Sequence, residues 1–292
     1  MSPSDPYWLA TLAAENIVKE RGITALPVDL IALARDLGIE VKAKSARAKG
    51  VSGMLLRVGN TFGIAYATHI DNIGFQHFSV AHELGHYFLP GHIDAVLADS
   101  DVHESRAGFA SGDRYEMEAD HFAAGLLMPR PLFTDAMRRA GDGLAAIQAL
   151  ADLCQTSLTA TGIRYTQCTH DPMAIVLSTG NQINYCFMSD ALKVVDGLNW
   201  IRKRELLPKD TVTFTFNRDA SRVRNADRAE GTSNLQDWFG ARRNLEITEE
   251  VIGLGSYEKT LTVLTVLDDL PDPEETEEED ELVESWKPKF RH

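Results

Sequence analysis

Cysteine is scarce in this 292-residue chain: Cys154, Cys168 and Cys186 are the only three, and no C-x-x-C pair occurs. An odd count without paired spacing argues against a disulfide framework or a cysteine-built zinc site. It makes a buried structural thiol the expectation for each and fits a reducing cytoplasm. Long apolar runs are missing as well. Glu15, Lys19 and Glu20 break up the first twenty-odd residues, so neither a signal peptide nor a membrane span is expected. Positive charge is in deficit, with 29 Lys+Arg against 43 Asp+Glu and a net charge of -14. The deficit is uneven: residues 268–292 hold eleven acidic and three basic side chains, a net of -8, which leaves -6 for everything before. A body that is only mildly acidic neither demands nor excludes nucleic acid. The acidic end reads as a solvated, disordered tail.

A composition of 44% hydrophobic and 25% charged residues is that of a globular protein, and the length allows one or two domains. The most specific pattern is His82-Glu83-Leu84-Gly85-His86, the H-E-x-x-H of zinc peptidases. At roughly 100° per residue, His82 and His86 stack on one face of a helix and can offer two imidazole nitrogens to one Zn²⁺. Glu83, one step round, reaches the water such an ion would activate and is the candidate catalytic base. Val80, Ala81, Leu84, Tyr87 and Phe88 fill the opposite face, and a partition this clean argues against two merely solvated histidines. Gly85 marks a close approach by another element.

Residues 7–21 and 27–37 read as helices, the second entered through Pro27. Val58-Gly59-Asn60 lies inside a hairpin over 50–68. The histidine helix runs from about Phe75 to Pro90-Gly91. Residues 91–114, rich in Gly, Ser and Asp, read as a long loop beside the site, a plausible lid. A strong helix covers 114–128, closed by Pro129 and Pro131, with further helices over 131–140 and 144–153 and one capped by Ser157. After His170-Asp171-Pro172 the texture turns to β. Strands are expected at 173–178, 183–188, 211–216, 245–253 and 260–267, with helical turns over 191–204. No internal repeat is present. The domain expectation is therefore 1–168, a mainly helical unit with a small sheet; 169–267, a β-rich regulatory or sensor-like unit; and 268–292, the tail. The fold class is α+β.

A hydrolytic zinc site needs three protein ligands and an open position. His92 has the spacing of the third histidine in H-E-x-x-H-x-x-G-x-x-H, but that motif turns on a glycine at position 89, where this chain has Leu89. The other candidate is Glu116. Helical geometry places Glu116 and Asp120 at the edge of the apolar stripe formed by Ala119, Phe122, Ala123, Leu126 and Leu127, with Glu118 and His121 toward solvent. Carboxylates at a buried edge are costly unless they are paired or bind a metal. This favours Glu116 as third ligand and Asp120 as the partner that orients a ligating histidine. The donor that would stabilise a tetrahedral oxyanion stays open among Tyr87, His92, His103, Tyr115 and His121.

Together, His82-Glu-Leu-Gly-His86 and Glu116-Met-Glu-Ala-Asp-His-Phe-Ala-Ala-Gly-Leu-Leu-Met-Pro129 resemble the ImmA/IrrE metallopeptidases over about residues 7–166. The resemblance implies a gluzincin-like, zincin-fold peptidase that uses Zn²⁺, and supports His82, His86 and Glu116 as ligands with Glu83 as base. It further implies cleavage of a helix-turn-helix repressor, releasing stress-response, DNA-damage, mobile-element or antiphage defence genes. No N-terminal helix-turn-helix domain fits ahead of residue 7, so the repressor is expected in trans.

Basic residues gather late in the chain: Arg202-Lys203-Arg204, then Arg218, Arg222, Arg224 and Arg228, then Arg242-Arg243, with Trp238 and Phe239 close by. Cations that track a backbone beside stacking aromatics suit single-stranded nucleic acid, a possible activator; arginines in ordinary surface ion pairs give the same pattern. The rival to the enzyme is a non-catalytic transcription or stress regulator with a structural metal site and a nucleic-acid- or ligand-sensing C-terminal domain. Glu83 argues against it, because a structural site needs no base.

Overall fold

A computed structural model describes residues 5–44, 51–69, 72–105, 112–242 and 244–267. The acidic segment 268–292, Arg243 and part of the expected lid, 106–111, lie outside the described residues. The chain divides after Thr169 into two compact units, and the fold is mixed α+β.

In the first unit, α1 (Pro6–Glu20) and α2 (Leu30–Asp36) precede β1 (Glu40–Lys44), β2 (Gly53–Val58) and β3 (Thr61–Ala67). Then come α3 (Ile73–Phe88), α4 (His92–Val96), β4 (Val102–Ser105), α5 (Arg114–Leu127), α6 (Arg130–Ala140), α7 (Gly143–Cys154) and α8 (Leu158–Cys168). The sheet order is β1-β3-β2-β4, with β1 parallel to β3 and the other pairs antiparallel. Capping sets the helix starts: Asp5, Asp29, Asn72, Asp113 and Ser157 each accept a hydrogen bond from a first-turn N–H, satisfying donors that no preceding turn can serve. The expected entry at Pro27 is thereby corrected. The second helix begins at Leu30, after Asp29 accepts from Ala32 N at 2.9 Å.

The expected loop over 91–114 is corrected in part, since it holds α4 and β4. A five-residue helix and a four-residue strand are too short to display a period. Strand β1 is a further addition: its Glu-Val-Lys-Ala-Lys alternation is only five residues long and largely exposed.

Helix α5 is held from two sides. A Cβ on Gly85 of α3 would sit 3.1 Å from Ala119 Cα, and one on Gly125 would sit 2.7 Å from the Thr11 carbonyl of α1, so both crossings need a missing side chain. The Thr11 hydroxyl donates to the His121 carbonyl at 3.2 Å. At the far end of α5, buried Arg164 donates from Nε to the Met128 carbonyl at 2.9 Å and pairs with Glu15 of α1. Gly125→Ala should therefore destabilise the unit by about 1–3 kcal/mol, the usual cost of overpacking against backbone. A denaturation midpoint unchanged from wild type would show that the α1–α5 crossing has slack.

The second unit is an antiparallel sheet of β5 (Met173–Thr179), β6 (Gln182–Met188), β7 (Arg228–Asn234), β8 (Glu246–Gly253) and β9 (Thr260–Val266), in the order β6-β5-β9-β8-β7. Short helices α9 (Asp190–Lys193), α10 (Val212–Asn217), α11 (Ala220–Arg224) and α12 (Leu235–Phe239) complete it. Residues 211–216, expected as a strand from their Val-Thr-Phe-Thr-Phe alternation, belong instead to α10 and its cap. The Thr211 hydroxyl accepts from Phe214 N at 3.2 Å. Inside the helix, the Thr213 N–H and hydroxyl donate to the buried Glu249 carboxylate at 3.0 and 2.9 Å. Of the helical turns expected over 191–204, only the last three residues of α9 form. No helix among the described residues is long and apolar enough to cross a membrane.

Candidate metal centre

Helix α3 carries His82, Glu83 and His86, all fully buried. The two Nε2 atoms face each other at 3.1 Å. Glu116, in the first turn of α5, completes the group, with Oε2 3.4 Å from His82 Nε2 and Oε1 3.3 Å from His86 Nε2. One donor atom from each residue lies within 4.8 Å of the others, and this is the metal-competent cluster found among the described residues. The close crossing at Gly85 and Ala119 brings α5 near enough for Glu116 to reach.

The electrostatics suit a cation. Burial alone would lower the pKa of His82, but the Asp120 and Glu116 carboxylates overcome it and raise it to about 10. Burial lowers His86 to about 4. Burial also works against the Glu116 carboxylate, yet hydrogen bonds from His103, His82 and His86 hold it well below the usual range. An anionic carboxylate beside two inward-facing imidazole nitrogens is the donor set of a zinc site with three protein ligands. Asp120 Oδ1 lies 2.8 Å from His82 Nδ1, which fixes that ring with Nε2 pointing at the cluster.

Glu83 is placed differently. Neither of its oxygens makes a well-formed hydrogen bond among the described residues, and the hydroxyl beside it, that of Ser105, is likewise buried and unsatisfied. Burial pushes its pKa up to about 7, while His82 and Ser105 pull the other way. Gly53 of β2 packs directly on it, and a Cβ there would collide with the carboxylate. A buried acid with unused acceptors calls for an explanation, and a reacting group that meets its partner only when substrate and water arrive supplies one.

Of the five candidate oxyanion donors, two touch residues of the cluster. His103, on β4, lies with Nε2 3.0 Å from Glu116 Oε1, on the Nε2 side of the cluster. His92, at the start of α4, reaches the opposite side, with Nδ1 3.2 Å from His86 Nδ1. Tyr87 instead packs edge-on against Phe62, Tyr115 against His92, and His121 stacks on Tyr7. Glu118, expected to face solvent, is buried and lies 3.0 Å from His92 Nε2; that expectation is corrected. His92, Glu118 and Arg114 form a connected group: Arg114 and Glu118 pair one turn apart within α5, while the His92–Glu118 link runs between α4 and α5 and leaves no periodic trace in the sequence.

Residues 34–166 match the family profile of the IrrE N-terminal-like domain, a peptidase family. This segment belongs to that family. The IrrE N-terminal-like domain thus contains α3, α5 and all of His82, Glu83, His86 and Glu116. Among solved structures, a Mycobacterium tuberculosis transcriptional regulator is similar at 17% identity with a TM-score of 0.56, over 88% of this chain and 76% of that chain. At that identity the likeness speaks for the fold. No curated protein sequence matches the chain.

Outside the IrrE N-terminal-like domain, three of the second unit's arginines have intramolecular roles. Arg222 lies over the Phe216 ring, 4.5 Å from its centroid, and donates to the Arg228 carbonyl at 3.0 Å. Arg224 approaches Glu258 at 4.0 Å, and Arg242 pairs with Asp196 at 2.9 Å. Arg218 and Arg228 are exposed. Trp238 and Phe239 are buried at 5% and 1% exposure, so the stacking platform expected from them is corrected: they are core residues.

Proposed function

We propose that the chain is a regulatory zinc-dependent endopeptidase that cleaves a helix-turn-helix transcriptional repressor and so releases the genes it silences. The observation that carries the catalytic part is the buried, partnerless Glu83 carboxylate beside the cluster of His82, His86 and Glu116. A structural zinc site is closed by four protein ligands and needs no adjacent acid; here three donors gather beside one. Membership of residues 34–166 in a peptidase family supports the same reading. The regulatory part draws on the ImmA/IrrE-like motifs and on a similar structure described as a transcriptional regulator.

His82, His86 and Glu116 would hold Zn²⁺, which when bound lowers the pKa of water and polarises the scissile carbonyl. Glu83 takes the proton of the attacking water and returns it to the leaving amine. Burial pushes its pKa up in the metal-free chain, and the positive charge of a bound ion would draw it back down, favouring the ionised form that accepts the proton. Asp120 keeps His82 in the tautomer whose Nε2 is free to bind. His103, bonded to Glu116 and more exposed than His92, is the chain's own candidate donor for the negative charge that develops on the carbonyl oxygen.

The test incubates the full chain and stoichiometric zinc with the helix-turn-helix protein encoded beside it, following products by mass spectrometry. The expected result is a defined cut that a chelator blocks and added zinc restores. Intact repressor in the presence of zinc-loaded protein, across the conditions that induce the neighbouring genes, would rule out this substrate class.

A further inference from the structure

On the side of His86 away from the ligand cluster lies a connected run of side chains that the mechanism above leaves unused. We propose that His92 is a positioning residue for His86, accepting a hydrogen bond from its Nδ1–H and anchoring it, through Glu118, to Arg114. The proposal rests on the reading of His82, His86 and Glu116 as zinc ligands.

The distances define the run: His86 Nδ1 to His92 Nδ1 is 3.2 Å, and His92 Nε2 to Glu118 Oε2 is 3.0 Å. The other Glu118 oxygen pairs with Arg114 Nε. His86 and His92 are fully buried and Glu118 nearly so. The direction of each bond follows from the donor inventory. A neutral imidazole has one N–H and one lone pair. With its Nε2 lone pair turned to the cluster, His86 carries its proton on Nδ1 and can only donate there. His92 Nδ1 must then accept, which leaves its proton on Nε2. At that position it meets Glu118, an ionised carboxylate that only accepts, and Glu118 in turn receives Arg114. Every link has one donor and one acceptor.

Both ligating imidazoles thus end on a carboxylate, His82 directly on Asp120 and His86 through one more ring. Gly91 places that ring. Its φ of 78° lies in the left-handed region, open to glycine at little cost, and it turns the chain back so that α4 starts with His92 against His86. Because this turn falls at position 91 rather than 89, His92 arrives behind His86 instead of among the ligands.

The alternative is that His92 merely fills space, with its ring edge-on to Tyr115 at 5.0 Å. Two substitutions separate the roles. Phenylalanine keeps the ring and volume but removes the acceptor; asparagine is smaller but restores an oxygen near the Nδ1 position. Zinc affinity of the full chain, measured by chelator competition alongside zinc-free melting, should fall about 10- to 100-fold in His92→Phe and recover most of that loss in His92→Asn. If Phe binds zinc like wild type, or Asn binds no better than Phe, the positioning role is overturned. A second readout needs no substitution: nitrogen NMR of the zinc-loaded wild type should find His92 neutral with its proton on Nε2, and a proton on Nδ1 would overturn the proposal. A wild type that binds no zinc would remove the metal centre and this role together, whereas zinc-replete wild type with the wrong tautomer removes only the role.

Discussion

Glu83→Gln is expected to reduce repressor cleavage by about 10²–10⁴-fold, the range associated with a positioned general base, while zinc stays bound. The amide has nearly the shape of the carboxylate, so the Gly53 contact and the packing of α3 persist. It cannot take a proton from water. The variant should also melt no earlier than wild type. The carboxylate is fully buried without a partner, and a neutral group in that position removes the cost of desolvating an anion. Cleavage rates, zinc stoichiometry and melting temperature measured on one preparation distinguish the possibilities. Retained cleavage would take the base assignment from Glu83. Loss of zinc along with activity would make Glu83 part of the ion's holding instead.

The largest effect on stability is expected at Glu249→Ala in the second unit. Glu249 is fully buried. Its Oε2 accepts the N–H and hydroxyl of Thr213, and its Oε1 accepts Trp238 Nε1–H at 3.0 Å. It thereby joins β8 to α10 and α12. Alanine would leave the Thr213 and Trp238 N–H groups buried without acceptors, at roughly 1–3 kcal/mol each, so a total loss of about 2–6 kcal/mol is expected. Glu249→Gln keeps one acceptor and turns an amide N–H₂ toward a donor, so it should fall between alanine and wild type. Urea unfolding followed by tryptophan fluorescence is the measurement. A midpoint for alanine equal to wild type would mean that relaxation or water supplies the missing acceptors.

Where contacts are local, the sequence was readable. The stacking of His82 over His86, the apolar face behind them and the edge position of Glu116 and Asp120 all follow from helical geometry, and the structure brings these residues to one place. The same geometry misled at Glu118. It supposes one covered face per helix, whereas α5 packs on both α1 and α3 and His92 comes from α4 to meet Glu118. Residues 211–216 misled for a related reason. Their alternation fits a strand, but Thr213 finds its partners on β8 and β9, through Glu249 and through Thr262 at 2.9 Å, and a bond 36 residues away leaves no local trace. Trp238 and Phe239 stand among arginines in the chain, a pattern that suits stacking, but their burial comes from the sheet behind them. His92 enters the sequence reading as a possible ligand and as a possible oxyanion donor, and neither role places it behind His86, because that contact depends on the turn at Gly91.

The contact between α1 and α5 reaches beyond its own neighbourhood. The family match begins at residue 34, yet Thr11 and Glu15 of α1 brace both the middle and the end of the helix that carries Glu116. The boundary of the recognisable domain and the boundary of its mechanical support therefore differ. The carboxylate proposed as third metal donor is held in place partly by a buttress, residues 6–20, that lies outside the matched segment.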